Sequence, residues 1–125
     1  MKKILYGVAV IFLLLIGVEA YLYRINNGNI VIYILNQSDK KNSIDVSLDI
    51  NNHSIFSGLI LSNTLKPQKI ILNEGIGKQH LLLRRKDLNI KIDESFNVFL
   101  VKWIIIDMYS NHTTVDYSII PPLFQ

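Results

Sequence analysis

The stretch from Phe96 to Tyr109 constrains the fold of this chain more than any other part of the sequence. It is dense in β-branched and aromatic residues, contains the single tryptophan, and lacks glycine and proline. Because a run of about 14 such residues is long for one strand, we predict the end of one strand, a tight reversal near residues 100–102, and a second strand from Trp103 to Tyr109. The segment Trp103–Ile106 is apolar on both faces, which predicts a strand inside a sheet, covered from both sides.

The chain begins with two lysines, Lys2 and Lys3, followed by an apolar run from Ile4 to Val18. A positive start followed by such a run directs export and leaves the N-terminus in the cytoplasm. The segment lacks a polar face, which argues against a helix packed into the core of a soluble domain. We therefore predict that residues 1–24 form a signal-anchor helix and that residues 25–125 form a separate domain outside the cytoplasm.

Two fates of this N-terminal segment are compatible with the sequence. As an uncleaved transmembrane anchor, residues 4–23 would give about 30 Å of helix, which matches the hydrocarbon core of a bilayer. This predicts a single-pass protein of the inner, cytoplasmic membrane with a periplasmic or external C-terminal domain. Alternatively, Val18-Glu19-Ala20 offers small residues at the spacing that a signal peptidase prefers, and cleavage near Ala20 would release a secreted domain.

Alternating apolar and polar residues predict short strands throughout the rest of the chain. Ile44–Ile50 and Ile90–Val98 alternate most clearly, and Glu94 falls on the apolar side of the second, which places it at a sheet margin or a bulge. Thr113–Ile119 forms a last strand before two prolines, which cannot donate to a ladder. After a short polar linker at 25–29, further strands are predicted at Ile30–Leu35, Ile55–Leu61, Gln68–Leu72 and Gln79–Arg85.

The spacing of these strands predicts the fold class. They recur at intervals of about 8–12 residues, without an amphipathic helix after residue 24, which is typical of a β-sandwich. We predict an all-β, immunoglobulin-like antiparallel two-sheet sandwich of about seven to eight strands, preceded by the transmembrane or signal helix. The roughly 100 residues after the apolar segment are enough for one hydrophobic core.

Charge and cysteine content exclude several classes of function. The formal net charge of +3 is a level that serves solubility and does not indicate a nucleic-acid partner. The absence of cysteine from the sequence excludes a disulfide framework, a thiolate metal site and a cysteine nucleophile.

The histidines do not form a ligand motif. His53, His80 and His112 lie near predicted turns or strand starts, and no two are two or four positions apart, the spacings that place two ligands on one face. We interpret them as exposed or capping residues. His80 could alternatively bond the backbone of the glycine-containing turn Gly75–Gly77.

Three other patterns match motifs by letter alone. Ser38-Asp39-Lys40-Lys41 reads as Ser-x-x-Lys, but that chemistry needs a helix that places the two side chains one turn apart. Asp45 and Asp49 share one face of a strand and could supply oxygen ligands to Ca²⁺, although a solvated face is the simpler interpretation. Gly75-Ile76-Gly77 lacks the strand–helix context of a phosphate-binding loop. We predict no catalytic residues, no metal site and no bound cofactor.

Basic and aromatic residues complete the survey of candidate binding groups. The triplet Arg84-Arg85-Lys86 at a strand end is interpreted as a solvated turn, or as a contact for anionic headgroups if that end faces a membrane. We expect Trp103 to be buried between the two sheets. Core packing is likewise expected for the other strand aromatics, Tyr33, Phe56, Phe96 and Tyr117.

Two pairs of neighbouring segments resemble a known family. Ile44-Asp45-Val46-Ser47-Leu48-Asp49 leads through a polar turn to Ile55-Phe56-Ser57-Gly58, and Gly77-Lys78-Gln79-His80 leads into Leu81-Leu82-Leu83. This arrangement is similar to the small PEGA-type and related immunoglobulin-like domains of membrane-anchored or exported bacterial proteins. The resemblance implies an immunoglobulin-like fold, an exported location and a role as a binding or spacer module without catalytic residues.

These observations favour a non-enzymatic, membrane-tethered β-sandwich that acts as a protein-interaction or structural module. The available contact surface would be an edge strand. The expected partners are the membrane, through residues 4–23, and an unidentified protein, but no nucleic acid. Two alternatives are a cleaved, secreted module that binds a glycan or peptide, and a small hydrolase or metal-dependent enzyme, which would need a cleft with convergent polar groups.

Overall fold

The computed structural model describes residues 2–26, 28–38, 43–61, 67–99 and 101–122, and within the helix the side chains of residues 2–18, 20 and 21. The described chain is mostly β-structure, and each strand boundary lies within two residues of its predicted position. The elements are α1 (Lys2–Asn26), β1 (Ile30–Asn36), β2 (Ile44–Ile50), β3 (His53–Ile60), β4 (Gln68–Leu72), β5 (Gly77–Arg85), β6 (Ile90–Val98), β7 (Lys102–Met108) and β8 (Thr113–Ser118).

The strands form two four-stranded sheets, which we call sheet A and sheet B. Sheet A has the order β4-β1-β7-β8, and sheet B has the order β3-β2-β5-β6. All pairs in sheet B are antiparallel, but β1 and β7 at the centre of sheet A are parallel, with Ile30 opposite Lys102 and Asn36 opposite Met108. The prediction of antiparallel pairing throughout is therefore wrong at this pair. Parallel neighbours need a long connection, and here the whole of sheet B lies between them in sequence.

The predicted tight reversal near residues 100–102 is also wrong. β6 is an edge strand of sheet B, whereas β7 lies inside sheet A, so the chain crosses from one sheet to the other instead of forming a hairpin. Val101, in this crossing, is 3% exposed. An apolar residue buried in the crossing explains why the sequence reads as one continuous strand from Phe96 to Tyr109.

The main core lies between the sheets. Every second residue of each central strand points inward, as the alternation predicted, and these side chains are buried. Fully burying one such aliphatic side chain contributes about 1.5–3 kcal/mol. Sheet A contributes Ile30, Ile32, Ile34, Ile104, Ile106 and Met108, and sheet B contributes Ile44, Val46, Leu48, Ile50, Ile60, Leu81, Leu83, Phe96 and Val98.

Trp103 is buried, as predicted, but it does not lie between the sheets. Its neighbour Ile104 points into the main core, and successive strand residues point to opposite faces, so Trp103 lies on the outer face of sheet A. There it forms a second apolar cluster with Val31 and Val101, against which Tyr33 packs. A strand that is apolar on both faces does not indicate which face is the inner one, and this ambiguity produced the error.

Glu94 lies in an edge strand, which confirms the predicted sheet margin. The alternative prediction of a bulge at Glu94 is wrong, because the β5–β6 register runs without a shift from Gly77 opposite Val98 to Arg85 opposite Ile90. The irregularity in sheet B lies in the β2–β3 pair instead, between Leu48 and Asp49.

Helix α1 presents apolar side chains in all directions. Its described large apolar side chains, from Ile4 to Tyr21, are between 36% and 73% exposed. Among the described residues, no helix combines the length and the apolarity that crossing a membrane requires.

Candidate functional site

One end of the sandwich lies next to α1, and we call it the near end. β1 and β7 begin there and β4 and β8 end there, because Ile30 lies opposite both Leu72 and Lys102, and Trp103 lies opposite Ser118. In sheet B, β5 begins at this end and β6 ends there. The near end therefore carries the β4–β5 loop, the β6–β7 crossing and the residues that follow β8. The opposite end is called the far end.

Gly28 and Asn29, at the end of the predicted polar linker at 25–29, form a packed junction with sheet A. α1 continues to Asn26, and both Gly28 and Asn29 are buried. A Cβ atom on Gly28 would lie 2.6 Å from the Leu72 carbonyl oxygen, so only glycine fits without a backbone shift. The Asn29 N–H donates to the Leu72 carbonyl (3.0 Å), and the Lys102 N–H donates to the Asn29 carbonyl (2.8 Å). Asn29, three residues after the end of α1, is thus joined to both β4 and β7 of sheet A through backbone hydrogen bonds.

Two buried amide side chains hold the β4–β5 loop. The Asn29 side chain donates from Nδ2 to the Glu74 carbonyl, and its Oδ1 accepts from the Glu74 N–H at 2.7 Å. The Gln79 Nε2 donates to the Gly75 carbonyl at 2.7 Å. The β4 ladder ends at Leu72, and these side chains then satisfy backbone groups of the loop that follows. They thereby hold in place the loop that carries Ile76, which is 73% exposed.

A third amide supports Gln79 from the β2–β3 turn. Asn51 has a φ of 51°, a left-handed conformation that asparagine tolerates better than most residues. Its Oδ1 accepts from the His80 N–H and its N–H donates to the His80 carbonyl, both at 2.9 Å. Its Nδ2 donates to Gln79 Oε1. A chain of hydrogen bonds therefore runs from Asn51 in the β2–β3 turn through Gln79 to Gly75 in the β4–β5 loop. We call it, together with the bonds from Asn29, the amide brace of the near end.

The tips of the near end are apolar and exposed. Ile76, Phe99, Ile119 and Ile120 are 73%, 64%, 63% and 68% exposed, although each lies within two residues of a strand. Single exposed apolar side chains are common, but several at one end of a small domain indicate a contact surface.

An apolar groove separates these tips from α1. Its volume is about 560 Å³, within the range of about 300–1,000 Å³ seen for small-molecule sites. Phe12, Leu15 and Ile16 line it from the helix, and Ile76, Phe99 and Ile119 line it from the domain. The basic residue Lys102 lies at the border of the groove. The groove offers apolar contact and has little polar lining with which to orient a reacting group.

The far end centres on Arg85, a buried charged residue that is 1% exposed. Its Nε and Nη2 donate to the two Asp87 carboxylate oxygens at 2.7 and 2.9 Å, and its Nη1 donates to the His112 carbonyl and to Thr113 Oγ1, both at 3.0 Å. The bidentate bond from Arg85 lowers the pKa of Asp87 from its ordinary value of 3.8. The interpretation of Arg84-Arg85-Lys86 as a solvated triplet is wrong for its central member.

A cavity of about 270 Å³ with both polar and apolar lining adjoins this pair. Its other lining residues are Ser38, Ser43, Ile44, Leu88 and Ser110. The Ser38 hydroxyl donates to Asn36 Oδ1 at 2.7 Å, and the Asn36 Nδ2 donates to the Ile60 carbonyl at 2.9 Å. Ser38 is therefore part of a turn, and residues 39–41 of the Ser-x-x-Lys pattern lie outside the described residues.

The histidines lie at separate places. The exposed His53 begins β3, His80 bonds through Nε2 to Asp93 on the solvent side of β5 and β6, and His112 stacks on Tyr109 with ring centroids 4.5 Å apart. Asp45 lies 3.4 Å from the Lys86 ammonium, and Asp49 pairs with Ser54 in the ladder. The described residues contain no group of three or more histidines or carboxylates that could hold a metal ion.

The open side of the sandwich between β6 and β8 contains an unpaired phenol. Tyr117 stacks on Phe96 with ring centroids 5.2 Å apart, and its hydroxyl is buried without a hydrogen-bond partner in the described part of the chain. Burial, and secondly the charge of Glu94, raises the pKa of Tyr117 to about 12. The phenol therefore stays neutral across the physiological range.

The sequence contained a signal for both buried polar groups of sheet B. On β5 the inward positions are Gln79, Leu81, Leu83 and Arg85, so the face that the alternation buries starts and ends with a polar residue. The alternation along β5 therefore predicts that both Gln79 and Arg85 point inward. This would have located the amide brace at one end of the strand and the ion pair at the other.

Comparison with known proteins adds no assignment. No protein-family model matches the chain, and a search of curated proteins returns no match.

Proposed function

We propose that the chain is a membrane-tethered, non-enzymatic β-sandwich that acts outside the cytoplasm as a protein-interaction or structural module. The observation that carries the proposal is the exposure of α1: its described large apolar side chains, from Ile4 to Tyr21, are 36–73% exposed. A helix of a soluble domain hides an apolar stripe and exposes a polar face. An apolar surface on every side of α1 is stable in lipid and not in water.

The charges at the start of α1 support the orientation. Lys2 and Lys3 precede the apolar residues, and positive residues flanking a span remain on the cytoplasmic side. The β-sandwich, which begins after Gly28 and Asn29, would then lie outside the inner membrane. Gly28 and Asn29 are packed against sheet A, so contact with the sandwich begins within two residues of the end of α1.

The edge of sheet A at β8 is the surface we assign to a protein partner. In the described chain β8 pairs on one side, with β7, and its register is unbroken from Met108 opposite Thr113 to Trp103 opposite Ser118. The other edges carry features that discourage strand addition: β3 has the pairing irregularity, β4 has five residues, and β6 alternates charges outward through Lys91 and Asp93. An extended segment of a partner would add to β8 by backbone hydrogen bonds.

As a finer part of the proposal, we assign the sandwich to the immunoglobulin-like class, with the PEGA-type domains as the family it resembles. Its size, its eight short strands and its two packed sheets support this assignment. The parallel β1–β7 pair is its departure from the all-antiparallel arrangement.

Fractionation of bacterial cells that express the full chain tests the tether. We expect the chain in the membrane pellet after alkaline carbonate extraction, and a variant lacking residues 2–26 in the soluble fraction. In intact spheroplasts, added protease should digest the domain while a cytoplasmic marker survives. A full chain extracted by carbonate, or a domain protected together with the marker, would refute the tether or the orientation.

A photo-crosslinking residue at Thr114 tests the β8 surface, with Lys69 on β4, the other edge of sheet A, as the matched control. Both positions lie on edge strands of similar length, six and five residues. A partner captured at Thr114 and absent at Lys69 would support strand addition at β8. Equal capture at both positions would show that β8 is not the contact surface.

A cleaved, secreted module that binds a glycan or peptide is the second candidate, favoured by the small residues at Val18 and Ala20. Intact-mass measurement of the mature protein separates the two forms. The mass of the complete chain supports the tether, and loss of the first 20 residues supports secretion.

A further inference from the structure

The two ends of the sandwich differ in their relation to α1 in a way that the edge-strand proposal does not explain. The far end presents the Arg85–Asp87 pair, and it exposes Leu59, Leu61 and Leu88 at 64%, 60% and 41%. The near end presents Ile76, Phe99, Ile119 and Ile120, all more than 60% exposed. Ile76, Phe99 and Ile119 line a groove together with apolar residues of α1, whereas the exposed leucines of the far end do not, and this continuous apolar surface indicates that the near end meets an apolar medium.

The position of these tips along α1 indicates which medium. Ile76, Phe99 and Ile119 line the same groove as Phe12, Leu15 and Ile16 of the helix. These helix residues lie seven to eleven residues before Tyr23, where the predicted span of residues 4–23 ends, and a rise of 1.5 Å per residue makes this about 10–16 Å. If the end of that span marks the membrane surface, the tips reach at least the depth of about 5–10 Å at which interfacial apolar groups lie.

The charges around the tips fit the headgroup region. Lys102 borders the groove, and Lys78 is exposed in the second position of β5, next to Gly77 in the groove wall. Glu74 is the acidic residue of the adjoining loop, and its backbone is bound by Asn29. Long basic side chains above an apolar tip extend to lipid phosphates while their stems cover apolar surface.

We propose that the near end is a lipid-contacting surface in which Ile76, Phe99 and Ile119 insert into the membrane interface beside α1. This inference rests on the proposed tether, because it uses the depth that a membrane-embedded α1 would have. Lipid is the occupant that continues the apolar surface of the helix without a break across the groove. The domain then stands upright on the membrane, with its far end directed away from it.

The amide brace gives this surface a defined shape before it meets lipid. Asn29 and Gln79 bind the backbone of Glu74 and Gly75, so Ile76 is held outward by buried hydrogen bonds. Since the loop is already ordered, insertion of Ile76 costs little conformational entropy. Two attachments, the helix and the tips, fix the tilt of the domain where a helix alone would leave it free to swing.

Single-cysteine labelling tests the inference, because the chain contains no cysteine. Phe99→Cys and Ile76→Cys place an environment-sensitive nitrobenzoxadiazole label at the near end, and Leu88→Cys is the matched control at the far end. All three residues are exposed apolar positions outside the core, so labelling leaves the fold intact. Each labelled full chain is reconstituted into vesicles of phosphatidylcholine and phosphatidylglycerol, with or without bromine atoms on the acyl chains.

We expect brominated lipid to quench the labels at 99 and 76 roughly two-fold or more, because interfacial apolar groups lie within reach of the upper acyl chain. The label at 88 should keep its intensity. Flotation of the same vesicles after a carbonate wash reads the tether separately. Chains that float while all three labels behave alike would overturn the lipid-contacting surface and leave the tether standing. Chains that do not float would overturn both.

Discussion

The buried Arg85–Asp87 pair allows a prediction in which two single substitutions differ although they break the same bond. The Arg85 side chain is 1% exposed and the Asp87 side chain is 40% exposed. Asp87→Ala leaves a buried guanidinium with two neutral acceptors, the His112 carbonyl and Thr113 Oγ1. An uncompensated buried charge of this kind costs about 3–5 kcal/mol. Because a domain has about 5–15 kcal/mol of stability in total, this variant should be severely destabilised.

Arg85→Met should cost less. The substitution removes the buried charge and fills its volume with an apolar side chain, and Asp87 is exposed enough to be solvated by water. What is lost is the hydrogen bonding of His112 and Thr113, about 1–3 kcal/mol if those acceptors stay buried. The double variant Arg85→Met/Asp87→Ala should therefore be more stable than Asp87→Ala alone. Arg85→Met removes the buried charge that Asp87→Ala leaves without a partner.

Urea unfolding of the full chain in a mild non-ionic detergent, followed by the fluorescence of Trp103, measures these differences. Lys86→Ala is the control, because its pair with Asp45 is 3.4 Å long with both side chains exposed, and such pairs contribute about 0–1 kcal/mol. If Arg85→Met were as damaging as Asp87→Ala, or if the double variant were the least stable of the three, the assignment of the cost to a stranded charge would be wrong.

The pair also predicts a pH dependence. The bond from Arg85 holds the pKa of Asp87 below its ordinary value of 3.8. The stability that this ionised carboxylate contributes is therefore present above pH 3.8 and is lost as the pH falls through the lower, folded-state pKa. The gap in unfolding free energy between the parent chain and Asp87→Ala should be constant near neutral pH and should shrink on acidification below this value. A gap that widens in acid would contradict the sign.

Three further substitutions test separate parts of the fold. Tyr117→Phe should raise the free energy of unfolding by about 1 kcal/mol, because it removes a buried hydroxyl without a partner; a less stable variant in thermal unfolding would show that the hydroxyl is bonded. Trp103→Ala should lower the free energy of unfolding by about 3–5 kcal/mol despite the outer-face position. An unchanged urea midpoint by circular dichroism would show that the apolar cluster around Trp103 is not a core. Gly28→Ala should destabilise by about 1–3 kcal/mol through its contact with backbone, whereas Gly75→Ala, with open space around its Cβ, should be neutral; equal effects would refute the packed junction.

The strands were predictable because their signal is local. Ile44–Ile50 and Ile90–Val98 alternate apolar and polar residues with a period of two, and the structure confirms both strands and their buried faces. The turns between them are marked by asparagine, glycine and proline, which fixed the boundaries within two residues.

The assignment of strands to sheets was not predictable from the same signal. Alternation shows which residues of a strand face inward, but it does not show which sheet the strand joins. The residues between β6 and β7 include the apolar Phe99 and Val101, so the crossing resembles a strand, and the parallel partner of β1 lies more than half the chain away. The β1–β7 register joins residues that are far apart in the sequence, so neither strand contains a local pattern that reveals it.

The near end could be predicted in part. Its apolar tips are visible in the sequence as Ile76 between two glycines and as Ile119-Ile120 before two prolines. Their grouping at one end depends on the strand directions, which the sequence did not supply. The Asn29 and Asn51 side chains bond backbone groups 45 and 29 positions away, beyond the reach of local capping rules, whereas Gln79 bonds the Gly75 carbonyl four positions away.

The parallel pairing of β1 with β7 has a consequence for the order in which the chain can fold. β1 is apolar on both faces and is the first strand to emerge behind the helix, but one of its two neighbours, β7, is synthesised close to the C-terminus. Pairs so distant in sequence slow folding, and an unpaired apolar strand is a target for aggregation until its partner arrives. If the domain is exported as proposed, β1 remains without its β7 partner until almost the entire domain has been translocated. A ribosome or translocation pause before residue 102 would then leave one edge of β1 unpaired, and a holding chaperone or the membrane surface would be needed to keep that strand from pairing with another copy.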